Sequence, residues 1–358
     1  MKIANKMKYQ NRITQHLQAD LLRALPGLLP SLRITKADRA SAAGADLVVE
    51  VLTPSGKRRR LYVETRSAAT PNRIPHAMRQ LKTEPGWRAG SYPVLASRFL
   101  SPRARELCRE AGVGYLDLAG NCYLQFEDFL LQKIVDRNPF PQQGRPASLF
   151  SPVSSRLLRA MLEEPSRSWR VSELAAVAGA SLGQTSNVCR RLVEEAYARP
   201  QDRRVQLVVP GRLLEAWRDA SRVLPQARHA FYSFERDPEQ LARRLARVGA
   251  ERGWPYALTS FAAAIRVAPF VHGIGVVEWY VADAAALDGW VEALDLRPVE
   301  SGPNVVLRVP DDPGVFYRAH AVDDVTVVGN VQLYLDLWPE PSRGHEQADF
   351  LRQERLRF

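Results

Sequence analysis

Amide, hydroxyl and guanidinium side chains alternate with apolar ones in the stretch SLGQTSNVCRR at residues 181–191. Leu182, Val188 and Leu192 have the spacing of one inward helix face, and Ser181 belongs to the residue types that cap helix N-termini. Amide and hydroxyl groups hydrogen-bond to base edges, and guanidinium groups bind guanine or phosphate. The stretch therefore predicts a helix that contacts DNA through Ser181, Gln184, Thr185, Asn187, Arg190 and Arg191.

The elements predicted around this helix would position it on a duplex. An apolar-periodic helix from residue 154 ends at Pro165, the extended segment SWRV follows, and a second helix, SELAAVA, ends at Gly179. After Tyr197 the sequence ARPQDRRVQLVV predicts a β-hairpin that would contact phosphates or the minor groove. Its basic residues are Arg199, Arg203 and Arg204. This order of elements is typical of a winged helix-turn-helix, which binds either double-stranded DNA or another protein.

The charge distribution favours the DNA alternative for the first two thirds of the chain. Residues 1–230 contain 37 lysines and arginines against 20 acidic residues, whereas residues 231–358 contain 13 against 19. A basic field attracts a polyanion and releases its counterions on binding. The acidic last third is expected to face a protein, a small ligand or solvent.

Length and composition indicate a multidomain cytoplasmic protein. The chain of 358 residues exceeds the usual size of one domain. It has no apolar run long enough to span a bilayer, and no hydrophobic segment follows the basic N-terminus MKIANKMKYQ. We therefore expect no contact with a membrane. Cys108, Cys122 and Cys189 lack metal-ligand spacing, so we expect them to be buried free thiols.

Proline-rich and polar segments divide the chain into three predicted domains. One breaker is NPFPQQGRPASLFSP at residues 138–152, and a second is LPQARH at residues 224–229. The fold class is predicted to be α/β multidomain. Residues 1–146 would form a restriction-endonuclease-like α/β domain, residues 147–225 the winged helix-turn-helix, and residues 226–358 a nucleotidyltransferase-like α+β domain.

Acidic residues on two predicted strands of the first domain resemble the PD-(D/E)xK nuclease core. Asp46 begins the strand ADLVVEVLT, Glu64 and Arg66 end the strand KRRRLYVETRS, and Gln80 lies in the following helix. In that family two acids hold Mg²⁺ and a lysine positions or activates water. The resemblance implies that Asp46 and Glu64 would be the metal ligands, with Arg66 in the lysine position and Gln80 as the remaining catalytic residue.

This chain departs from the nuclease pattern at Arg66. An arginine stays protonated at ordinary pH, so it stabilises negative charge but does not act as a general base. The alternative is that Asp46 and Glu64 are strand-end acids and that Glu64 pairs with Arg66 or with one of the arginines at 58–60. We expect an inactive nuclease-like scaffold, with Mg²⁺ as a cofactor only if the domain is active.

The elements predicted for the third domain include a helix at Pro238–Arg252 and a strand at VFYRAH, and their order resembles a nucleotidyltransferase fold. Such enzymes have a Gly-Ser turn before a strand that carries paired acids for two Mg²⁺ ions. This chain has Thr259 and Ser260 at the turn, and Glu278 is the acid on the expected strand. Because the second acid is missing, the domain is predicted to be a non-catalytic module for packing or oligomerisation.

Several sequence segments together resemble those of the AbiEi-type antitoxins, which are transcriptional regulators of type IV toxin–antitoxin systems. They are GVGYLDLAGNCYLQF, the NPFP…GRPASLFSPVSSRLLRAML join, SWRVSELA with SLGQTSNVCRRL, and VQLYLDLW…RGHEQADFL. The resemblance runs from about Asp46 to Leu351. It implies a repressor of its own operon that opposes a nucleotidyltransferase-like toxin, with no required direct contact.

The interpretation that follows is a DNA-binding regulator that works by binding and not by turnover. Two alternatives from other classes remain open at this point. One is a Mg²⁺-dependent DNA nuclease that uses the N-terminal domain, and the other is a non-catalytic protein-interaction scaffold. The sequence leaves open whether the protein forms a homo-oligomer.

Overall fold

The computed structural model of the chain describes residues 2–39, 45–67, 69–83, 91–126, 129–135, 138–140, 149–221, 227–273, 275–341 and 343–358. Over these residues the fold is mixed α/β, with twelve α-helices and three sheets. The contacts divide the chain into two units, Met1–Arg145 with Glu194–Ala196, and Pro146–Val193 with Tyr197–Phe358. The predicted α/β class is confirmed at this level.

The first unit is built on a seven-stranded sheet whose strands follow the chain order. The two pairings β3·β4 and β4·β5 are parallel, and the other neighbours are antiparallel. The elements are α1 (Lys2–Leu28), β1 (Arg33–Arg39), β2 (Leu47–Leu52), β3 (Arg58–Arg66), α2 (Ile74–Thr83), β4 (Ser91–Ser97), α3 (Pro102–Glu110), β5 (Gly114–Asp117), β6 (Cys122–Phe126) and β7 (Phe129–Lys133).

Residue periodicity explains why α1 and β2 pack together. Leu17, Leu21 and Leu25 recur every fourth position and are buried, which gives α1 one apolar face. Along β2 every second residue is buried, so its apolar side chains line one face of the sheet. The two faces belong to one hydrophobic cluster.

A buried polar cluster fixes the turn between β5 and β6. The carboxylate of Asp117 accepts hydrogen bonds from the backbone N–H groups of Leu100 and Asn121, both at 2.9 Å. Asn121 in turn accepts from Arg105 at 2.6 Å. Burial raises the pKa of Asp117, and these hydrogen bonds oppose that shift. Asp117 and Asn121 of the GVGYLDLAGN segment thus connect the β5–β6 turn to the start of α3 and the residues before it.

The second unit begins with three helices and a hairpin and continues into a second seven-stranded sheet. The elements up to the sheet are α4 (Pro152–Glu163), α5 (Val171–Ala178), α6 (Leu182–Glu194), β8 (Ala198–Gln201), β9 (Arg204–Leu207) and α7 (Pro210–Ser221). The sheet and its helices are β10 (Ala227–Tyr232), α8 (Pro238–Arg252), β11 (Tyr256–Thr259), α9 (Ser260–Val267), β12 (Val277–Val281), α10 (Leu287–Ala293), β13 (Arg297–Pro298), β14 (Val305–Val309), β15 (His320–Val322), β16 (Val325–Val327), α11 (Asn330–Leu337) and α12 (Gly344–Leu351). The strand order is β13-β10-β14-β12-β11-β16-β15.

One hydrophobic core runs through the whole second unit. Buried residues from Leu157 in α4 to Leu351 in α12 belong to a single cluster, and Trp217 in α7 lies among them. Described residues on both sides of residue 225 therefore contribute to the same core. The boundaries 147–225 and 226–358 stay predictions.

Two predicted elements of the C-terminal segment show opposite outcomes. The helix Pro238–Arg252 is confirmed, because Asp237 caps its start and Gly253 ends it with a φ of 65°. The predicted strand VFYRAH is wrong for residues 315–319, and only His320 belongs to a strand. There Asp312 caps a 3₁₀ turn at Pro313–Phe316 and accepts from the N–H of Gly314 at 2.7 Å.

None of the helices in the described residues is both long enough and apolar enough to cross a membrane.

Candidate functional site

The candidate site is the outer surface of α6 and the β8–β9 hairpin that follows it. Gly179 ends α5 in the left-handed conformation, with a φ of 58°, and the chain turns directly into α6. Trp169 pairs with Val205 of the hairpin through two backbone hydrogen bonds of 2.8 and 2.9 Å. The extended segment before α5 therefore holds the hairpin against the helices.

A reciprocal cap begins α6. The backbone N–H of Gln184 donates to the Ser181 hydroxyl oxygen at 3.2 Å. The Ser181 backbone N–H and hydroxyl both donate to the Gln184 amide oxygen, at 3.4 and 3.0 Å. This is the capping-box arrangement that the order Ser-x-x-Gln favours. Both side chains are exposed, but each is already engaged at the helix start.

The face of α6 that is buried differs from the predicted one at two positions. Thr185 is fully buried and its hydroxyl donates to the Ser181 carbonyl oxygen at 2.9 Å. Leu182, which was predicted to point inward, is 61% exposed. The buried residues of α6 are Thr185, Val188, Cys189 and Leu192. Their i, i+3, i+4, i+7 spacing was the sequence signal for this face, so Thr185 is a core residue and not a contact residue.

Asn187 and Arg190 lie exposed on the outer surface of α6. Arg190 donates from Nη2 to Asn187 Oδ1 at 2.5 Å, which couples the two side chains. Arg191 is half-buried and also interacts with other groups of the chain. The structure therefore places Ser181, Gln184, Asn187 and Arg190 on one exposed surface and Arg191 at its margin.

The hairpin presents Arg203 at its tip. Asp202 and Arg203 have φ values of 46° and 60°, the left-handed pair that a two-residue hairpin turn requires. The Arg203 side chain is exposed. Arg204 instead donates to the Ser168 carbonyl oxygen at 3.0 Å and to Glu173 at 3.2 Å. Arg204 thus attaches the hairpin to α5, which is a different role from the predicted contact with DNA.

Polar contacts attach α4 to the C-terminal part of the same unit. Arg159 is buried and donates from Nε to Gln332 Oε1 at 2.9 Å. Arg156 donates to both carboxylate oxygens of Asp312, at 2.8 and 2.9 Å. Glu163 accepts from the Val331 N–H at the start of α11, at 2.8 Å. The helix that supports α5 and α6 is therefore anchored at several points.

Glu163 should make stability depend on pH. Burial raises the pKa of its carboxyl group, although the Val331 N–H partly opposes the shift. A raised folded-state pKa means that the ionised form is disfavoured in the folded protein. This penalty is absent below the pKa of an unfolded glutamate, about 4.3, and it is complete once the pH exceeds the folded-state pKa.

The Glu163→Gln variant tests this expectation, because glutamine keeps an oxygen acceptor for the Val331 N–H but cannot ionise. At neutral pH the variant should be at least as stable as the wild type. Its advantage should shrink as the pH falls toward 4. Urea unfolding of both proteins across pH 4–8 measures the difference, and a difference that does not change with pH would contradict the expectation.

A buried ionic cluster lies where the nucleotidyltransferase resemblance implied metal ligands. Arg308 on β14 donates to Glu278 at 2.7 Å and also binds Asp336 at 3.1 Å and Glu340 at 3.0 Å. Burial alone would lower the pKa of Arg308, but the charges of Asp336 and Glu278 outweigh it and raise that pKa. The Arg308 guanidinium group thus neutralises negative charge on these buried carboxylates.

A cavity of about 370 Å³ lies beside this cluster. Its lining includes Arg159, Trp217, Arg218, Arg228, Asp312 and Trp338. Arg159 lies over the Trp217 ring at 5.0 Å and Arg218 over the Trp338 ring at 4.0 Å. These contacts explain how the guanidinium groups are held at the cavity wall.

The acids of the predicted nuclease site are engaged with neighbouring residues. Asp46 accepts from the backbone N–H and the hydroxyl of Thr65, both at 2.7 Å. Glu64 pairs with Arg66 at 2.5 Å, as the alternative interpretation predicted. Gln80 lies in α2, but its side chain is outside the described residues. In the described part of the chain no group of three or more His, Cys, Asp or Glu side chains is arranged to hold a metal ion.

The three cysteines are buried free thiols, as predicted. Burial raises the pKa of Cys108 to about 12 and that of Cys189 to about 11. A thiol with so high a pKa is protonated at neutral pH and is a poor nucleophile.

Comparison with known proteins gives one family. Residues 206–357 match a family model described as "Transcriptional regulator, AbiEi antitoxin, Type IV TA system". The resemblance predicted from the sequence is therefore confirmed over these residues. The matched segment begins within β9, so α6 lies outside it. No curated protein and no solved structure matches the chain.

Proposed function

We propose that this chain, whose residues 206–357 match the AbiEi antitoxin family, is the DNA-binding antitoxin of a type IV toxin–antitoxin system. It binds double-stranded DNA through a winged helix-turn-helix formed by α4, α5, α6 and the β8–β9 hairpin. Bound at the promoter, it represses transcription of its own operon. The toxin it opposes is nucleotidyltransferase-like and need not contact it directly.

The observation that carries the proposal is the exposed surface of α6. Asn187 and Arg190 lie on it without burial, and the helix has no acidic residue between Ser181 and Val193. An α-helix with such a surface fits the major groove, where asparagine and arginine hydrogen-bond to base edges. The arginine at the hairpin tip would reach the phosphates or the minor groove beside it.

We also propose a non-catalytic role for the first unit and for the C-terminal part of the second unit. Thr65 and Arg66 already hold the Asp46 and Glu64 carboxylates, so these acids support a strand end in the nuclease-like scaffold. Arg308 forms ion pairs with Glu278 and Asp336 near the nucleotidyltransferase-like turn. We therefore propose a cytoplasmic regulator that needs no cofactor and whose C-terminal part packs against α4.

The test is a comparison of the DNA upstream of the gene with random DNA of the same length. Binding of the purified protein is measured at two salt concentrations, with and without Mg²⁺, and the DNA is then run on a gel. Selective binding that weakens steeply with salt, with intact DNA, supports the proposal. Mg²⁺-dependent fragments would favour the nuclease alternative, and equal binding to both DNAs would favour the protein-interaction scaffold.

The two hairpin arginines should contribute to different properties, Arg203 to DNA affinity and Arg204 to folding stability. Arg203→Ala removes one exposed charge, so the variant should bind upstream and random DNA more weakly by a similar factor. The slope of log affinity against log salt concentration should become shallower by about one. Arg204→Ala breaks the contacts with Ser168 and Glu173 and should lower the free energy of unfolding by about 1 kcal/mol. DNA titrations and urea unfolding of both variants measure the two effects. Similar behaviour of the two variants in both assays would contradict the assignment.

A further inference from the structure

Leu182 is an exposed leucine in the first turn of the helix proposed to enter the major groove. Its side chain is 61% exposed, whereas the apolar stripe of α6 consists of Thr185, Val188, Cys189 and Leu192. Leu182 lies outside this stripe. The described core therefore gives no account of a large apolar residue at this position.

The neighbours of Leu182 define what could cover it. Ser186 and Arg190 follow at four-residue intervals, so all three share one helix face, and both are exposed. Next to Leu182, a Cβ placed on Gly183 would meet no atom of another described element within 4 Å, so that side of the helix start is open among the described residues. On this face of α6 the leucine is accompanied by the hydroxyl group of Ser186 and the guanidinium group of Arg190.

Charge complementarity favours nucleic acid as the occupant. The helix carries two arginines and no acid between Ser181 and Val193. A single leucine within a basic, hydrogen-bonding surface is a small apolar area for binding a protein. The major groove offers a matching partner, since its one apolar group is the C5 methyl of thymine.

We propose that Leu182 packs against the C5 methyl group of a thymine in the operator and thereby makes one base position specific for thymine. This inference rests on the proposed function, because it requires α6 to lie in the major groove. In this arrangement Asn187 and Arg190 provide hydrogen bonds and Leu182 provides the apolar contact. Cytosine and the purines present no methyl group at that place.

The experiment replaces each thymine of the bound upstream DNA by uracil, which lacks only the methyl group. For the wild type, uracil at one position should weaken binding about fourfold, the factor expected for one buried methyl group. Leu182→Ala should bind the thymine DNA about fourfold or more weakly and should be insensitive to uracil at that position. The coupling between the two changes isolates the contact.

Two controls keep the outcome unambiguous. Leu130→Ala shortens another leucine that is 61% exposed, on β7 of the first unit, and should keep the wild-type response to uracil. Leu182→Ala should unfold at the wild-type urea concentration, because the removed atoms are exposed. Selective upstream binding with an equal uracil effect in wild type and Leu182→Ala, or with no uracil effect at all, overturns the thymine contact alone. If the wild type binds upstream and random DNA equally well, the proposed function and this inference are overturned together.

Discussion

The Arg308→Met variant is expected to lose about 3–5 kcal/mol of folding stability, the usual cost of removing one partner from a buried ion pair. Arg308 is 3% exposed, and its side chain binds three carboxylates of which Glu278 and Asp336 are almost fully buried. Methionine has a similar length but leaves the buried Asp336 without its ion-pair partner, while Arg228 remains the cation paired with Glu278 and Glu340. Because two of the carboxylates come from β12 and α11, the loss should affect the whole second unit.

Urea unfolding followed by tryptophan fluorescence measures this loss, since six of the seven tryptophans belong to the second unit. Arg243→Met is the matched control, because Arg243 pairs with Glu239 at 72% exposure and should change stability by about 0.5 kcal/mol or less. Burial already raises the pKa of Asp336. The Arg308→Met defect should therefore diminish as the pH falls and the acids take up protons. A defect no larger than that of Arg243→Met would show that the cluster contributes little.

The second large effect is expected in DNA binding. Arg190→Ala and Asn187→Ala should each reduce affinity for the upstream DNA about 10- to 100-fold, because a good bidentate contact to a base contributes about 1–3 kcal/mol. Binding to random DNA should change much less, so the ratio of the two affinities should fall. The two residues contact each other, and we expect the double variant to lose less than the product of the single losses.

Filter-binding or fluorescence-anisotropy titrations with both DNAs measure these ratios. Arg243→Ala removes an exposed helical arginine from α8 of the same unit and should keep the wild-type ratio. All three variants should unfold like the wild type, since the removed side chains are exposed. If the Arg190→Ala and Asn187→Ala variants retained full upstream selectivity, α6 would not be the recognition helix.

Local signals in the sequence predicted several element boundaries correctly. Ser181 and Gln184 cap α6, Gly179 ends α5, and Asp237 with Gly253 bounds α8. Each boundary depends on a side chain or a backbone conformation within a few residues, so neighbouring residues carry the information. The hairpin was predicted for the same reason, although the left-handed turn uses Asp202 and Arg203 in place of glycine.

The sequence by itself thus determined where the helices of the candidate site begin and end and which polar residues they carry. The tertiary structure decided which side chains are free to act. It buried Thr185, exposed Leu182 and bound Arg204 to Glu173. It also joined Arg308 to acids at positions 278, 336 and 340, and gave the second unit one core. The physical reason is that burial and ion pairing depend on groups far apart in the chain, whose approach local preferences do not encode.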